Sequence, residues 1–139
     1  MKIKSGVNFY NFAKKKIPGG TTLFSKRSEL HLPDLWPAYY TKAKDTHVWD
    51  LKGNKFLDMF CAVGTNVLGY SNPKINKAVF KNISLSNMST LNCPEEVKLA
   101  EIITKHHSWS SMAKFTRGGG EANAVAIRIA RSNTNKKNV

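Results

Sequence analysis

Acidic residues are scarce in this sequence: nine, against 22 lysines and arginines, for a formal charge of +13 over 139 residues. The excess is carried by lysines scattered along the chain, with a single run at Lys14-Lys15-Lys16. A nucleic-acid binder concentrates Lys and Arg on one face among stacking aromatics, so no nucleic-acid partner is expected. Thirteen asparagines accompany the lysines, which fits a general compositional drift better than a binding patch. Cysteine is nearly absent. Cys61 and Cys93 have no paired spacing with each other or with the four histidines, so neither a zinc site nor a disulfide framework is suggested. His106-His107 lacks an acidic or thiol ligand at a matching offset and is read as a helix end, so no metal is expected. No 18-residue apolar run is present, and the first residues hold no apolar segment of the signal-peptide kind. A soluble, cytoplasmic protein without a membrane partner is the expectation.

What is present is a globular composition, 41% hydrophobic and 10% aromatic, compatible with a packed core. The most informative stretch runs from Lys114 to Arg131: a short strand, Gly118-Gly119-Gly120, then a helix from about Glu121 with little polar surface. Three glycines remove every Cβ from the turn, so the backbone is free to adopt positive φ and to approach a ligand closely. The helix start adds free N–H groups and the positive end of the macrodipole, which together favour a phosphate. A tight turn with no ligand is the alternative that the glycines alone leave open. Glu121, Arg128, Arg131 and Ser132 share one narrow arc, while Ala122, Val125, Ala126, Ile127, Ile129 and Ala130 cover most of the rest. Such a helix is expected to be packed on several sides. Asn123 falls on the apolar side, read as a satisfied core amide or as a group turned toward a site or partner.

Phe115-Thr-Arg-Gly-Gly-Gly-Glu-Ala-Asn-Ala-Val-Ala-Ile-Arg-Ile-Ala-Arg131 resembles the phosphate-binding turn and following helix of class III aminotransferases. These are pyridoxal-phosphate enzymes of fold type I, a group that includes glutamate-1-semialdehyde aminomutase. The resemblance implies that Gly118, Gly119 and Gly120 hold the phosphate of pyridoxal 5'-phosphate through backbone N–H groups. The common form of that turn has a hydroxyl where this chain has Gly120, so one hydrogen bond is expected to be missing.

Two further stretches carry the resemblance. Val48-Trp-Asp-Leu-Lys-Gly-Asn-Lys-Phe-Leu-Asp58 is similar to the family's small-sheet signature, and Phe60 to Pro73 to its connection into the large domain. Thr21 to Arg27 resembles the segment crossing the active-site mouth, where the aminomutases carry an arginine facing the substrate carboxylate. A gapless match places Lys26 there, with Arg27 adjacent; lysine lacks the planar fork for bidentate carboxylate binding. Ala62-Val63 stands where those aminomutases have Ser-Trp. On this resemblance Lys26 and Val63 are the substrate-side residues, and strict glutamate-1-semialdehyde specificity is not expected. Plain linker packing is the alternative for Ala62 and Val63.

Local signals give the remaining elements. Residues 5–16 suggest a short amphipathic helix ended by Ile17-Pro-Gly-Gly20. A meander follows over 38–43, 46–50 and 55–59, with turns at Lys44-Asp45 and Leu51–Asn54. Asp50 and Asp58 are read as turn and strand-end hydrogen bonders rather than as paired catalytic acids. Helices are expected from Pro73 to about Ile83, with Ile75, Ala78, Val79 and Ile83 facing a core, and from Pro94 to about Lys105. A polar loop over 84–93 joins them, and 133–139 leads toward another strand.

The order of elements predicts an α/β protein entering a mainly parallel sheet. In family terms this is the N-terminal part of the fold-type-I transferase fold. Residues 1–72 would hold the N-terminal segment with its antiparallel meander, and 73–139 the start of the large pyridoxal-phosphate domain. The implied activity is pyridoxal-phosphate-dependent amino-group transfer on a small amino donor and acceptor, by a homodimer when full length. The cofactor-bearing lysine falls beyond residue 139, so no catalytic residue is expected here. A stand-alone phosphate-binding module and a basic nucleic-acid binder are the competing readings.

Overall fold

The computed structural model describes residues 5–85 and 89–138. Part of the polar loop expected over 84–93, and the strand start expected at Val139, lie outside the described residues. The chain divides into two compact units, Met1–Ser86 and Asn87–Val139.

The first unit opens with α1, Gly6–Ala13. Ser5 caps it: its hydroxyl accepts from the Asn8 amide at 3.2 Å and satisfies one of the free N–H groups of the first turn. The helix is shorter than the 5–16 the sequence suggests. After Ala13 the chain tightens, the amides of Lys15 and Lys16 bonding only three residues back to Phe12 and Ala13. Tyr10 and Ala13 are the buried hydrophobic residues, 3% and 7% exposed. Around Tyr10 the chain folds back through short turns at Pro18–Gly20, Phe24–Lys26 and Ser28–Leu30.

Gly20 permits that fold-back. Its φ is +76°, and a Cβ there would sit 2.7 Å from Tyr10 Cε2 and 2.9 Å from Lys14 Cγ. Gly20→Ala combines left-handed strain with overpacking against the buried Tyr10 ring. The expected loss of stability is about 1–3 kcal/mol, read as a shift of the denaturant midpoint in the polypeptide that carries this segment.

The meander then follows as β1 (Tyr40–Lys44), β2 (His47–Asp50) and β3 (Lys55–Leu57), paired antiparallel in the order β1-β2-β3. The β1–β2 turn is Asp45-Thr46, one residue later than expected, with Asp45 at φ +52°. Short polar Asp tolerates that conformation well. Asp50 builds the β2–β3 turn as expected: its Oδ1 accepts from the amides of Lys52 (2.8 Å) and Asn54 (2.9 Å), and Gly53 supplies φ +86°. The Lys42 and Lys55 ammonium groups lie over the ring of Trp49, at 4.7 and 5.7 Å from its centroid. α2, Pro73–Ile83, is capped by Asn72 and begins with proline in its first turn.

The second unit holds α3 (Pro94–His106) and α4 (Gly119–Thr134). α3 has Glu95 and Glu96 in its first turn and Lys105 and His106 in its last, matching the macrodipole at both ends. α4 starts two residues before Glu121, and left-handed Asn135 (φ +56°) closes it.

Three expectations change here. Lys114–Thr116 does not form the expected strand, and the only sheet among the described residues is the antiparallel meander. The helices are also not packed on the faces the sequence assigns to a core: Val79, Val97 and Ile129 are 48%, 70% and 60% exposed. Asn123 is exposed too, not a buried amide. The physical reason is common to all. The apolar faces are real, but they stay largely uncovered among the described residues.

Candidate functional site

The glycine turn is the N-terminus of α4. Gly118 is its cap, extended at φ −165° and ψ 160°, and Gly119 and Gly120 are the first two helical residues. None of the three has positive φ, which corrects the expected reason for glycine here. What the glycines supply is open space: a Cβ built on Gly118, Gly119 or Gly120 meets nothing within 4 Å. Nothing among the described residues therefore requires glycine at these positions.

Hydrogen bonding leaves the same place free. The Ala122 amide opens the helical ladder by bonding to the Gly118 carbonyl at 3.0 Å. Gly118 gives no side-chain cap, and the amides of the first helical residues have no intrahelical acceptor. Glu121 turns back to accept from the Arg117 amide at 3.0 Å, which fixes the entry of the chain into the helix. Open space, unspent donors and a positive dipole end fit a phosphate group.

The other sequence-singled residues, Lys26 and Val63, lie in the first unit, whereas the glycine turn lies in the second. Lys26 ends a short turn and is exposed. Its neighbour Arg27 is more constrained. The Arg27 guanidinium lies 5.2 Å from the Phe24 ring centroid and packs against Gly19, where a Cβ would come within 2.5 Å of Nη2. Arg27 Nε and the hydroxyl of Ser28, a residue only 2% exposed, are buried without a hydrogen-bond partner. The nearby acid is already committed. Glu29 accepts from Lys14 Nζ at 2.9 Å and from the Tyr10 hydroxyl at 2.8 Å, and that hydroxyl also reaches the Gly19 carbonyl at 3.0 Å.

The Lys14 hydrogen bond, then the backbone and Tyr10, hold the Glu29 carboxyl down at about 2, from an ordinary 4.5. A lowered carboxyl favours the folded state above its unfolded value, and that contribution fades as pH falls from 4.5 toward 2. Acid titration followed at the Tyr10 ring resonances is expected to show this latch opening in that window. Glu29→Gln should abolish the transition. Because both partners are about half exposed, high salt should weaken the latch.

Val63 sits in the least ordinary backbone of the chain. Cys61, Ala62, Val63 and Gly64 have φ of +46°, +50°, +58° and +79°, a full left-handed turn in which only the last residue is glycine. The left-handed conformation costs an L-residue roughly 1–2 kcal/mol, and a β-branched side chain such as Val63 is a poor occupant. Asp58 holds the entry of the turn: its Oδ1 accepts from the amides of Phe60 (2.8 Å) and Cys61 (3.1 Å). Its Oδ2 accepts from the Tyr70 hydroxyl at 2.5 Å. Burial first, and then Asp58, push that hydroxyl up to about 12, so it stays a donor across the neutral range. Tyr70 in turn is fixed by two backbone bonds with Asp45, at 2.8 and 2.9 Å. The sequence signalled Asp58 as a hydrogen bonder but gave no sign of its partner or of the left-handed run.

Cys61 and Cys93 are both free thiols, the latter donating to Glu95 Oε2 at 2.9 Å. Among the described residues no group of His, Cys, Asp and Glu could hold a metal ion, and no helix is long and apolar enough to cross a membrane.

The sequence matches the family model for class-III aminotransferases over residues 31–139. It is 32% identical to the glutamate-1-semialdehyde 2,1-aminomutase of Methanothrix thermoacetophila, with all of this chain and 31% of that protein aligned. It is 31% identical to the aminopentol aminotransferase of Sphingopyxis macrogoltabida, over 91% of this chain and 30% of that protein. Among solved structures, the PLP internal aldimine form of the Sphingopyxis sp. MTA144 FumI protein superposes with a TM-score of 0.85 at 28% identity, covering 95% of this chain and 31% of that one. An omega-transaminase from Sphaerobacter thermophilus superposes with a TM-score of 0.86 at 24% identity, covering 99% and 31%, which speaks to the fold alone. The chain spans about a third of the length of the relatives it matches.

Proposed function

The chain belongs to the class-III aminotransferase family, and from that premise we propose that it is the amino-terminal portion of a pyridoxal-phosphate enzyme that transfers amino groups. Pyridoxal phosphate supplies the electron sink for such chemistry when bound. The part assigned to this chain is recognition. The observation that carries the reading is the start of α4, where three residues without side chains border unspent backbone donors. Gly118, Gly119 and Gly120 would hold the cofactor phosphate there. No catalytic lysine is assigned among these residues, and residues 1–72 and 73–139 are the N-terminal segment and the start of the large domain. The complete enzyme would be a homodimer.

Lys26 and Val63 are assigned to the substrate side. Lys26 offers an exposed ammonium for an anionic substrate group. Arg27 adds a guanidinium that no acid of the described residues neutralises, and its planar fork suits a carboxylate better than an ammonium does. Val63, 55% exposed, contributes an apolar contact with no hydrogen-bond donor.

Several relatives are named glutamate-1-semialdehyde 2,1-aminomutase, but Lys26 and Ala62-Val63 argue for amino transfer with another substrate. The test is an assay of the complete polypeptide with pyridoxal phosphate. Preferred turnover of an amino donor–acceptor pair, beside weak conversion of glutamate 1-semialdehyde to 5-aminolevulinate, is expected. Efficient aminomutase turnover would overturn the substrate assignment. Absence of a visible cofactor band would overturn the whole reading.

A further inference from the structure

We infer that Asp58 and Tyr70 are positioning residues, which hold Cys61–Gly64 in a left-handed turn so that Val63 meets the substrate. The inference rests on the assignment of Val63 to the substrate side. Its own support is the backbone. Three consecutive non-glycine residues do not stay left-handed unless their surroundings over-determine them, and such strain gathers at functional sites.

The restraint is specific. The Asp58 carboxylate spends Oδ1 on the two amides that enter the turn and Oδ2 on the Tyr70 hydroxyl. Tyr70 is pinned by the paired backbone bonds to Asp45, at the end of the β1–β2 hairpin. Ser71, itself left-handed at φ +54°, adds a bond from its hydroxyl to the Ala43 carbonyl at 3.0 Å. The rigid meander is thus tied through one carboxylate to one strained turn. Meanwhile the tip is left bare: Met59, Phe60 and Val63 are 84%, 62% and 55% exposed. A loop that needed only to connect two elements would gain nothing from holding Val63 in this conformation. A loop that must present it at a fixed place would.

The test uses the full-length polypeptide with pyridoxal phosphate and amino donors of graded side-chain size. Tyr70→Phe removes the hydroxyl that orients Asp58. It is expected to change the kcat/KM ratio between the bulkiest and smallest donor by about fivefold or more, mainly through KM, with cofactor affinity unchanged. Adding Ala62→Gly should recover part of that ratio, because glycine takes the left-handed conformation without an anchor. Asp58→Asn keeps one acceptor for the Phe60 and Cys61 amides, and it replaces Tyr70→Phe under the same threshold if the latter fails to fold. A donor ratio within twofold of wild type, beside a lowered thermal midpoint, would overturn the inference and leave Asp58 and Tyr70 as linker supports. If the wild-type polypeptide binds cofactor but the ratio is unmoved, only this inference fails. If it neither binds cofactor nor transfers an amino group, the functional reading fails and this inference with it.

Discussion

Gly119→Val, made in the full-length polypeptide, is expected to raise the dissociation constant for pyridoxal phosphate at least tenfold, about 1.4 kcal/mol. The structure makes this substitution unusually clean. Gly119 is the first residue of α4, its φ is not positive, and a Cβ there touches no atom of the chain. Valine in a first helical turn costs little by propensity, where packing does not oppose it. Any large effect must therefore come from what approaches the turn from outside. Two isopropyl methyl groups beside the Gly119 and Gly120 amides would keep a phosphate oxygen from reaching them. The measurement is a cofactor titration by absorbance, paired with a thermal midpoint to verify folding. An unchanged titration in a folded protein would remove the phosphate assignment.

The larger effect, a complete absence, is expected of the 139 residues produced alone: no amino-group turnover, and no single lysine holding the cofactor covalently. A fold-type-I site combines a phosphate cradle, a lysine bonded to the cofactor and an acid at the pyridine nitrogen, and only the cradle is assigned here. The chain's 18 lysines do not substitute for the second part. An ordinary lysine, with a pKa of about 10.4, is protonated and weakly nucleophilic at neutral pH. Apolar exposure adds a second handicap. Leu91, Val97, Trp109 and Met112 are each at least 70% exposed, which leaves the second unit open to aggregation. The check is borohydride reduction of the purified chain with pyridoxal phosphate, followed by mass-spectrometric mapping. One stoichiometrically labelled lysine together with turnover would show that these residues form a complete catalyst.

The meander was legible because its turns rest on local chemistry. Asp50 bonds residues two and four positions ahead, and Gly53 takes the one conformation in that turn that others resist. The helices were legible from prolines in their first turns, acids at the start of α3 and the alanine-rich run of α4. The glycine triplet marked where α4 begins, but the positive φ expected of it is absent: Gly118 is extended, and Gly119 and Gly120 are the first helical residues. The left-handed turn at Cys61–Gly64 was hidden because Cys, Ala and Val carry no local preference for it. Asp58 and Tyr70, which bond beside it, are twelve residues apart in sequence. Tyr10 and Glu29, nineteen residues apart, escaped notice for the same reason. Helix packing failed as an expectation because a hydrophobic face says that cover is needed, not which residues provide it.

The contacts of the first unit set an order in time as well as in space. β1 meets β2, β2 meets β3, and α1 meets the turn at Pro18–Gly20, each the next element or nearly so along the chain. Closing such short loops takes microseconds or less, far faster than a ribosome adds residues. The meander and the Tyr10 cluster therefore assemble during synthesis, soon after they emerge. α3 and α4 keep bare leucine, isoleucine and valine side chains among the described residues, the kind of nascent surface that a chaperone holds.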